Sequence, residues 1–182
     1  MPAALHSPQE VVAFWRDAGP ARWFRKDDAF DREFRERFMG DHEAAARGDS
    51  DGWAATPEGA LALCILLDQF PRNAFRGTAR VFSTDAKARD LARRAVDARF
   101  DERVDPELRQ FLHLPFSHSE ELADQDRAVE LASRTSDDSR KWALHHRGII
   151  ERFGRFPHRN AALGRKTTPE EQQFLDQGGF SG

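Results

Sequence analysis

Two stretches of the chain repeat one polar pattern, in which Arg and Asn follow a Phe-Pro pair. The first occupies residues 68–78 and the second residues 155–167, where His158 and further insertions extend the pattern. Each continues with a nonpolar residue, then adjacent Arg and Gly, then Thr. Asn tolerates the left-handed turn that follows a helix end, and an Arg guanidinium donates paired hydrogen bonds to a carboxylate or phosphate. The pattern therefore indicates either two structural turns or an anion-binding site.

The arginines of these stretches have two interpretations, and both stay open. In the structural interpretation each Arg caps the last carbonyl groups of a helix and pairs with a carboxylate such as Asp68 or Glu151. In the functional interpretation the guanidinium groups converge into a pocket for a carboxylate or phosphate. The arginines concerned are Arg72, Arg76, Arg155, Arg159 and Arg165.

Histidine and glutamate side chains form a second candidate group. His118 and Glu120, acting with His146 or His158, have the side chains for acid–base catalysis or for binding a metal. Neither His-x-x-x-His nor His-Glu-x-x-His occurs, so we expect no metal site. In the structural alternative Glu120 completes a helix-capping box that begins at Ser117, and either His145 or His146 is a satisfied core histidine.

Helix signals surround these residues on every side. Capping boxes, in which Glu follows Ser or Thr by three residues, begin at residues 7, 117 and 168. Phe30, Phe34 and Phe38 form one stripe of a helix over about 28–47, and the nonpolar run from Ala60 to Leu67 predicts a buried helix that Pro71 ends.

Three further helices complete the prediction. One runs from a cap at residue 83 or 84 to about 100, and another starts at Asp105. The third runs from about 138 to Phe153, with Trp142 on its inner face and Gly154 after its end. No segment alternates with a period of two, which leaves the all-α class. We expect a single domain over residues 1–182, built from antiparallel helical hairpins.

Composition narrows the classes of partner. The net charge of −3, from 28 Lys and Arg against 31 Asp and Glu, provides no positive field for nucleic acid or an anionic membrane. The longest nonpolar run is far shorter than the ~20 residues of a membrane span, and the N-terminus has no basic or long nonpolar region typical of a secretory signal. The lone cysteine, Cys64, lies inside that run and is expected in the core. We expect a cytoplasmic protein without cofactor, nucleic-acid partner or membrane partner; a glycine-rich phosphate loop and a Gly-x-Ser-x-Gly elbow are both absent from the sequence.

Taken together, these motifs resemble the bacterial domain-of-unknown-function family numbered 924, over about Val11 to Leu175. The resemblance implies an all-α fold with a TPR-like right-handed superhelix, for which an irregular bundle is the alternative, and it implies no activity. The motifs that carry it are Phe14-Trp15, Trp23-Phe24 with Asp31, the segments 66–73 and 76–78, His118-Ser119-Glu120, and the segment 152–160.

Three residues depart from the family pattern. Gly148 stands where the family usually has Asp, His113 where Tyr is usual, and Arg16 in place of an aromatic residue. The departure at Gly148 removes a carboxylate that would orient His146 or ligate a metal, which argues against catalysis unless Glu151 takes its place.

The leading hypothesis is a binding protein in which both Arg-Asn turns and His118-Ser119-Glu120 face one polar groove for a small anionic ligand or an acidic peptide. The first alternative is a hydrolase-like enzyme with acid–base histidine and glutamate, and the second is a TPR-like interaction scaffold with structural Arg-Asn turns. The predicted binding residues are Asp68, Gln69, Arg72, Asn73, Arg76, His118, Glu120, His146, Arg147, Arg155, His158, Arg159 and Asn160.

Overall fold

The computed structural model describes residues 5–180 and shows a helical chain. No residue in this range lies in a β-strand, so the predicted all-α class is confirmed. The TPR-like superhelix stays a prediction. Across the same range no helix is long and nonpolar enough to span a membrane. The α-helices are α1 (Pro8–Ala18), α2 (Pro20–Trp23), α3 (Asp28–Arg47), α4 (Pro57–Cys64), α5 (Phe70–Ala74), α6 (Asp85–Asp97), α7 (Gln110–Ser117), α8 (Leu122–Ala132), α9 (Asp137–Phe153) and α10 (Pro169–Asp176).

The described residues divide into two compact units. The first unit comprises residues 5–76 and 80–115, and the second comprises residues 77–79 and 116–180. The boundary falls within α7, directly after its internal proline, Pro115. The single domain over the whole chain stays a prediction.

An aromatic stripe builds the core of the first unit. Phe30, Phe34 and Phe38 lie one turn apart on α3 and are buried, as their spacing predicts. Trp15 of α1 packs on this stripe, with ring centroids 6.0 Å from Phe30 and 5.3 Å from Phe34. Phe14 stacks on the same stripe at 5.3 Å from Phe34. The paired aromatic faces hold α1 against α3.

The nonpolar run of α4 is buried on all sides. Every residue from Ala60 to Leu67 is at most 1% exposed, because the run has no polar side chain to turn toward water. Cys64 lies in its middle, and burial raises the pKa of its thiol, which is therefore uncharged. The prediction of a core cysteine is confirmed.

The buried helix does not end at Pro71, and that prediction was wrong. It continues from α4 through a π-helical turn, Ile65–Gln69, into α5. In this turn the backbone N–H of Phe70 donates to the carbonyl of Ile65, five residues back rather than four. The wider turn relieves the usual clash between a proline ring and the preceding turn, so the helix passes the proline.

Two side chains bond the carbonyl groups that this turn frees. The carbonyl of Leu66 accepts a hydrogen bond from Nδ1 of His42 at 2.8 Å. Pro71 has no N–H, and the carbonyl of Leu67 instead accepts from the hydroxyl of Thr84 at 2.6 Å. The buried polar backbone is thus satisfied by other elements of the first unit.

The second unit is built from α8, α9 and α10. Residues 133–136 connect α8 to α9, and the two helices pack against each other. Its core contains Ile149, Ile150 and Phe156, with Phe153, Phe174 and Phe180 partly buried against it.

Three local predictions need correction. Trp142 was expected on the inner face of α9 but is 61% exposed, whereas the residues that this helix buries are Ala143, Ile149 and Ile150. The helix expected from Asp105 begins only at Gln110.

The capping box predicted at Ser117 is not formed, whereas those at residues 7 and 168 are confirmed. Helix α8 begins after Glu121, which provides no side-chain cap. The hydroxyl of Ser119 accepts from the backbone N–H of Glu121 and donates to Asp124. Glu120 has other partners, described with the site.

Candidate functional site

The first of the two repeated stretches, residues 68–78, is called the first Phe-Pro turn, and it places Arg72, which lies in α5, between two carboxylates. Its guanidinium donates to both oxygens of Asp85, at 2.9 and 3.1 Å, and Nη1 lies 3.2 Å from Oδ1 of Asp68. Asp68 is fully buried and also accepts from the side-chain amide of Gln69 at 2.7 Å. The charge of Arg72 is thus matched within the protein.

The same turn directs Asn73 and Arg76 onto Asp31 of α3. Oδ1 of Asp31 accepts from the Asn73 amide at 2.7 Å, and Oδ2 accepts from Nε of Arg76 at 2.6 Å. This carboxylate fastens the end of α5 to α3. Both residues were predicted to bind ligand, and their groups here bond to the chain itself.

The second Phe-Pro turn is organised around Glu171 of α10. Its carboxylate accepts from Arg155 at 2.6 and 2.9 Å and from the Asn160 amide at 3.1 Å. The backbone N–H of Thr168 donates to it at 2.8 Å, which completes the capping box of α10. The hydrogen bonds from Arg155, and after them those from Thr168, lower the pKa of Glu171 to about 2.

Glu120 pairs with Arg165 rather than with a helix end. The guanidinium donates to both carboxylate oxygens, at 2.7 and 3.0 Å, and the backbone N–H of Phe156 donates at 2.8 Å. Burial raises the pKa of Glu120, but the hydrogen bonds from Arg165 and Phe156 outweigh it and lower the pKa overall. A carboxylate that is ionised and accepts hydrogen bonds on both oxygens is a poor general acid. This weakens the acid–base role considered for Glu120.

A cluster of imidazole and phenyl rings lies beside this turn. We call it the histidine cluster, and its members are His145, His146, Phe156, His158 and Phe180. The ring centroid of His146 lies 6.2 Å from that of His145, 5.8 Å from Phe156 and 4.6 Å from Phe180. His158 lies 5.7 Å from Phe156. Two predicted binding residues, His146 and His158, therefore meet in one place.

Neither ring nitrogen of His146 bonds to any residue in the range 5–180, although both nitrogens are buried. Burial is the main cause that lowers the pKa of His146, and the positive charges of His118, His145, Arg159 and His158 add to it, so that the pKa falls to about 3. The ring is therefore neutral at pH 7. Four basic side chains surround it closely enough to act on its charge.

Arg159 and His118 join the histidine cluster to the second turn. Arg159 is buried, donates from Nη2 to the carbonyl of His118 at 2.9 Å, and lies over the Phe156 ring at 4.6 Å from its centroid. The Arg side chain thereby holds its charge beside the rings of the cluster.

Other predicted residues lie away from this cluster. Arg147 pairs on the surface with Asp126 at 2.6 Å and with Glu151 at 3.0 Å. The carboxylate of Glu151 thus bonds to Arg147. The role suggested for Glu151, which was to orient His146, is therefore unsupported. The contacts of each Phe-Pro turn described above lie within its own unit, and the common groove of both turns stays a prediction.

An open cavity of about 340 Å³ lies next to the histidine cluster in the second unit. Its lining is mainly nonpolar, and Gly148 provides a stretch of wall without a side chain. The lining residues are Leu144, His145, Gly148, Ile149, Arg152, Phe153 and Phe174. Over residues 5–180, no group of three or more His, Cys, Asp or Glu side chains is arranged to hold a metal ion.

Four residues that organise these sites are not among the predicted binding residues: Asp31, Asp85, Glu171 and Phe180. Glu171 had one visible signal, since it completes the capping box at Thr168. Asp85 and Phe180 carry no local signal, because their partners come from distant parts of the chain.

Fold and site together define an all-α protein in which arginine–carboxylate clusters hold Phe-Pro turns and one unit also holds a histidine cluster. The chain belongs to a family of bacterial proteins of unknown function, DUF924, whose model matches residues 11–179. A solved structure of a protein of unknown function from Agrobacterium tumefaciens is similar, with 50% identity and a TM-score of 0.91. The match covers 93% of this chain and 97% of that chain. No curated protein matches. The resemblance seen in the motifs is thereby confirmed.

Proposed function

We propose that the protein binds a small carboxylate or phosphate ligand at the histidine cluster of the second unit. The observation that carries this proposal is His146, whose two buried ring nitrogens bond to no described residue. A buried polar group normally has a partner, and a missing one is an indication of a ligand or an ordered water.

The surrounding charge supports an anion. His118, His145, His158 and Arg159 all disfavour a positive charge on His146, so the potential at this ring is positive whenever they are charged. An anion there accepts hydrogen bonds from imidazole and is attracted by the guanidinium charge of Arg159.

The arginine–carboxylate clusters have a structural role in this proposal. Arg72, Arg76, Arg155 and Arg165 each donate to a carboxylate of the chain. A ligand anion would have to displace these carboxylates to use the same guanidinium groups. The binding residues proposed are therefore a subset of the predicted ones, centred on His146, His158 and Arg159.

The interaction scaffold is the second candidate, and the nonpolar cavity beside α9 favours it. The substitution Gly148→Leu distinguishes anion binding from the scaffold function. Open space surrounds a side chain added at this position, so the leucine enters the cavity without a clash. If the proposal holds, this variant binds small anions as the wild type does.

Thermal unfolding with inorganic phosphate and with succinate tests the proposal. A ligand at one hundred times its dissociation constant adds about 2.7 kcal/mol to the stability of the folded state and raises Tm by about 5 °C or more. We expect a saturable rise in the wild type that His146→Gln abolishes. His113→Gln, which alters a buried histidine of the first unit, should retain it. A rise of the same size in both variants, or none in the wild type, would overturn the proposal.

A further inference from the structure

The ring of Phe180 occupies the centre of the histidine cluster. Its centroid lies 4.6 Å from that of His146, 5.0 Å from His158, 6.0 Å from His145 and 6.1 Å from Phe156. The planes of the four rings are inclined to it by 56 to 85°. These are the edge-to-face arrangements that aromatic rings prefer, and they form a slot shaped for one flat ring.

A glycine turn after α10 delivers Phe180 to this slot. The N–H of Gly179 donates to the carbonyl of Phe174 and that of Gly178 to the carbonyl of Leu175, while Gly178 has a φ of +79°. This is a Schellman motif, which reverses the chain at a helix end. A Cβ on Gly179 would lie 2.5 Å from the Phe174 carbonyl oxygen, so the turn requires glycine there.

We propose that the ligand is an aromatic carboxylate, whose ring replaces that of Phe180 while its carboxylate bonds to His146. This inference rests on the proposed function and identifies the class of ligand and the group that it displaces. Because both nitrogens of His146 are buried, an anion reaches them only when a neighbouring group moves. Phe180 is the ring of the cluster that follows a glycine turn, whereas the other four lie in α9 or in the second Phe-Pro turn.

The slot favours an aromatic ligand over a bare anion for a physical reason. An anion without a ring that displaces Phe180 leaves a void among four aromatic side chains, and an unfilled cavity costs free energy. A phenyl group fills the void and restores the edge-to-face contacts. Phenylacetate has both the ring and a carboxylate on a short linker, and acetate is the matched anion without the ring.

Calorimetric titration of phenylacetate and acetate into the wild type, Phe180→Ala and Phe153→Ala tests this inference. Phe180 lowers apparent affinity by keeping the slot filled, so its removal should tighten phenylacetate binding about tenfold. In Phe180→Ala, phenylacetate should also bind about tenfold more tightly than acetate, since only phenylacetate fills the slot. Phe153→Ala removes a ring from the same core that pairs with Phe174 rather than with the histidines, and should bind as the wild type does.

Gly179→Ala provides a second test that leaves every ring in place. The added methyl group displaces the turn and with it Phe180, so phenylacetate binding should tighten as in Phe180→Ala. Gly148→Ala is its control, because no atom beyond its chain neighbours and the backbone of its own helix lies within 4 Å of the added methyl group.

The outcomes separate the inference from the proposed function. If phosphate and acetate bind through His146 but Phe180→Ala shows neither tighter binding nor a preference for phenylacetate, the aromatic ligand is wrong and the anion site stands. If His146→Gln leaves every anion unaffected, or if no anion binds any variant, both proposals fall.

Discussion

Glu171 joins α10 to the second Phe-Pro turn through a buried carboxylate. It is 2% exposed, yet its charge is met by Arg155, by the Asn160 amide and by the N–H of Thr168. A buried carboxylate of this kind contributes little net energy compared with a nonpolar side chain, but removal of one partner leaves the others unsatisfied. Its main effect is therefore to specify the position of the turn relative to α10.

Glu171→Gln should destabilise the protein by about 2 kcal/mol, because the buried network loses its one carboxylate and a neutral amide cannot accept from Arg155 as strongly. The measurement is urea unfolding at pH 7. Glu170→Gln is the matched control: Glu170 is exposed and pairs with Arg152 on the surface, so its effect should stay within about 0.5 kcal/mol. Equal effects of the two substitutions would contradict the structural role of Glu171.

Residue types in the sequence predicted which arginine and asparagine side chains take part in the clusters better than they predicted which carboxylates these side chains bond. The repeat of Arg-Asn after Phe-Pro directed attention to Asn73 and Asn160, but neither has the left-handed conformation that was the reason given for Asn: Asn73 lies inside α5, and Asn160 has a φ of −57°. It could not predict that Asp31 bonds the first of these and Glu171 the second, since these carboxylates lie 42 and 11 residues away along the chain. Pairing between distant segments depends on how helices pack, which spacing does not encode.

The π-helical turn in the first unit shows how an element tolerates a proline in its interior. Ordinary helix rules predicted an end at Pro71. The turn instead frees two buried carbonyl groups, and side chains from α3 and from the residue before α6 bond them. Local rules fail here because donors from distant elements replace the missing backbone bonds, whereas the α3 stripe was predictable because its period is a local property.

A double-mutant cycle on Thr84 and Pro71 tests this account. Thr84→Val should cost about 1 to 3 kcal/mol, because it leaves the Leu67 carbonyl buried without a donor. In a Pro71→Ala background the cost should be smaller, since the restored N–H can donate to that carbonyl. The free energies of unfolding of the four proteins give the coupling energy. Additive effects would show that the hydroxyl does not substitute for the missing N–H.

Across the whole molecule, the shifted pKa values of histidines and carboxylates all make the stability of the folded protein depend on pH in the same direction. Burial lowers the pKa of His42 in the first unit and of His146 in the second. Hydrogen bonds lower the pKa of Glu171, and the pKa of Glu120 is lowered as well. In each case the unfolded chain binds protons at a higher pH than the folded protein, so acid favours unfolding.

The sign and the pH window of this effect can be stated for His146. The unfolded side chain is protonated below about pH 6.5, and the folded one only near a pKa of about 3. The stabilisation from a neutral ring is complete above pH 6.5 and is lost as the pH falls toward 3. Carboxylates such as Glu171 add a second loss, which begins below about 4.5 and continues to about 2.

Urea unfolding at pH 7.5 and 5.5 measures the first of these losses. The wild type should lose about 1 to 3 kcal/mol over this interval, of which about 1 kcal/mol comes from His146. His146→Phe removes the titrating ring, so its stability should fall by about 1 kcal/mol less. Ile149→Val, a neighbouring core substitution without a titratable group, should show the full loss from its own lower starting value. Should His146→Phe and Ile149→Val depend on pH equally, His146 would not be neutral in the folded protein, and the positive surroundings on which the anion site depends would be in doubt.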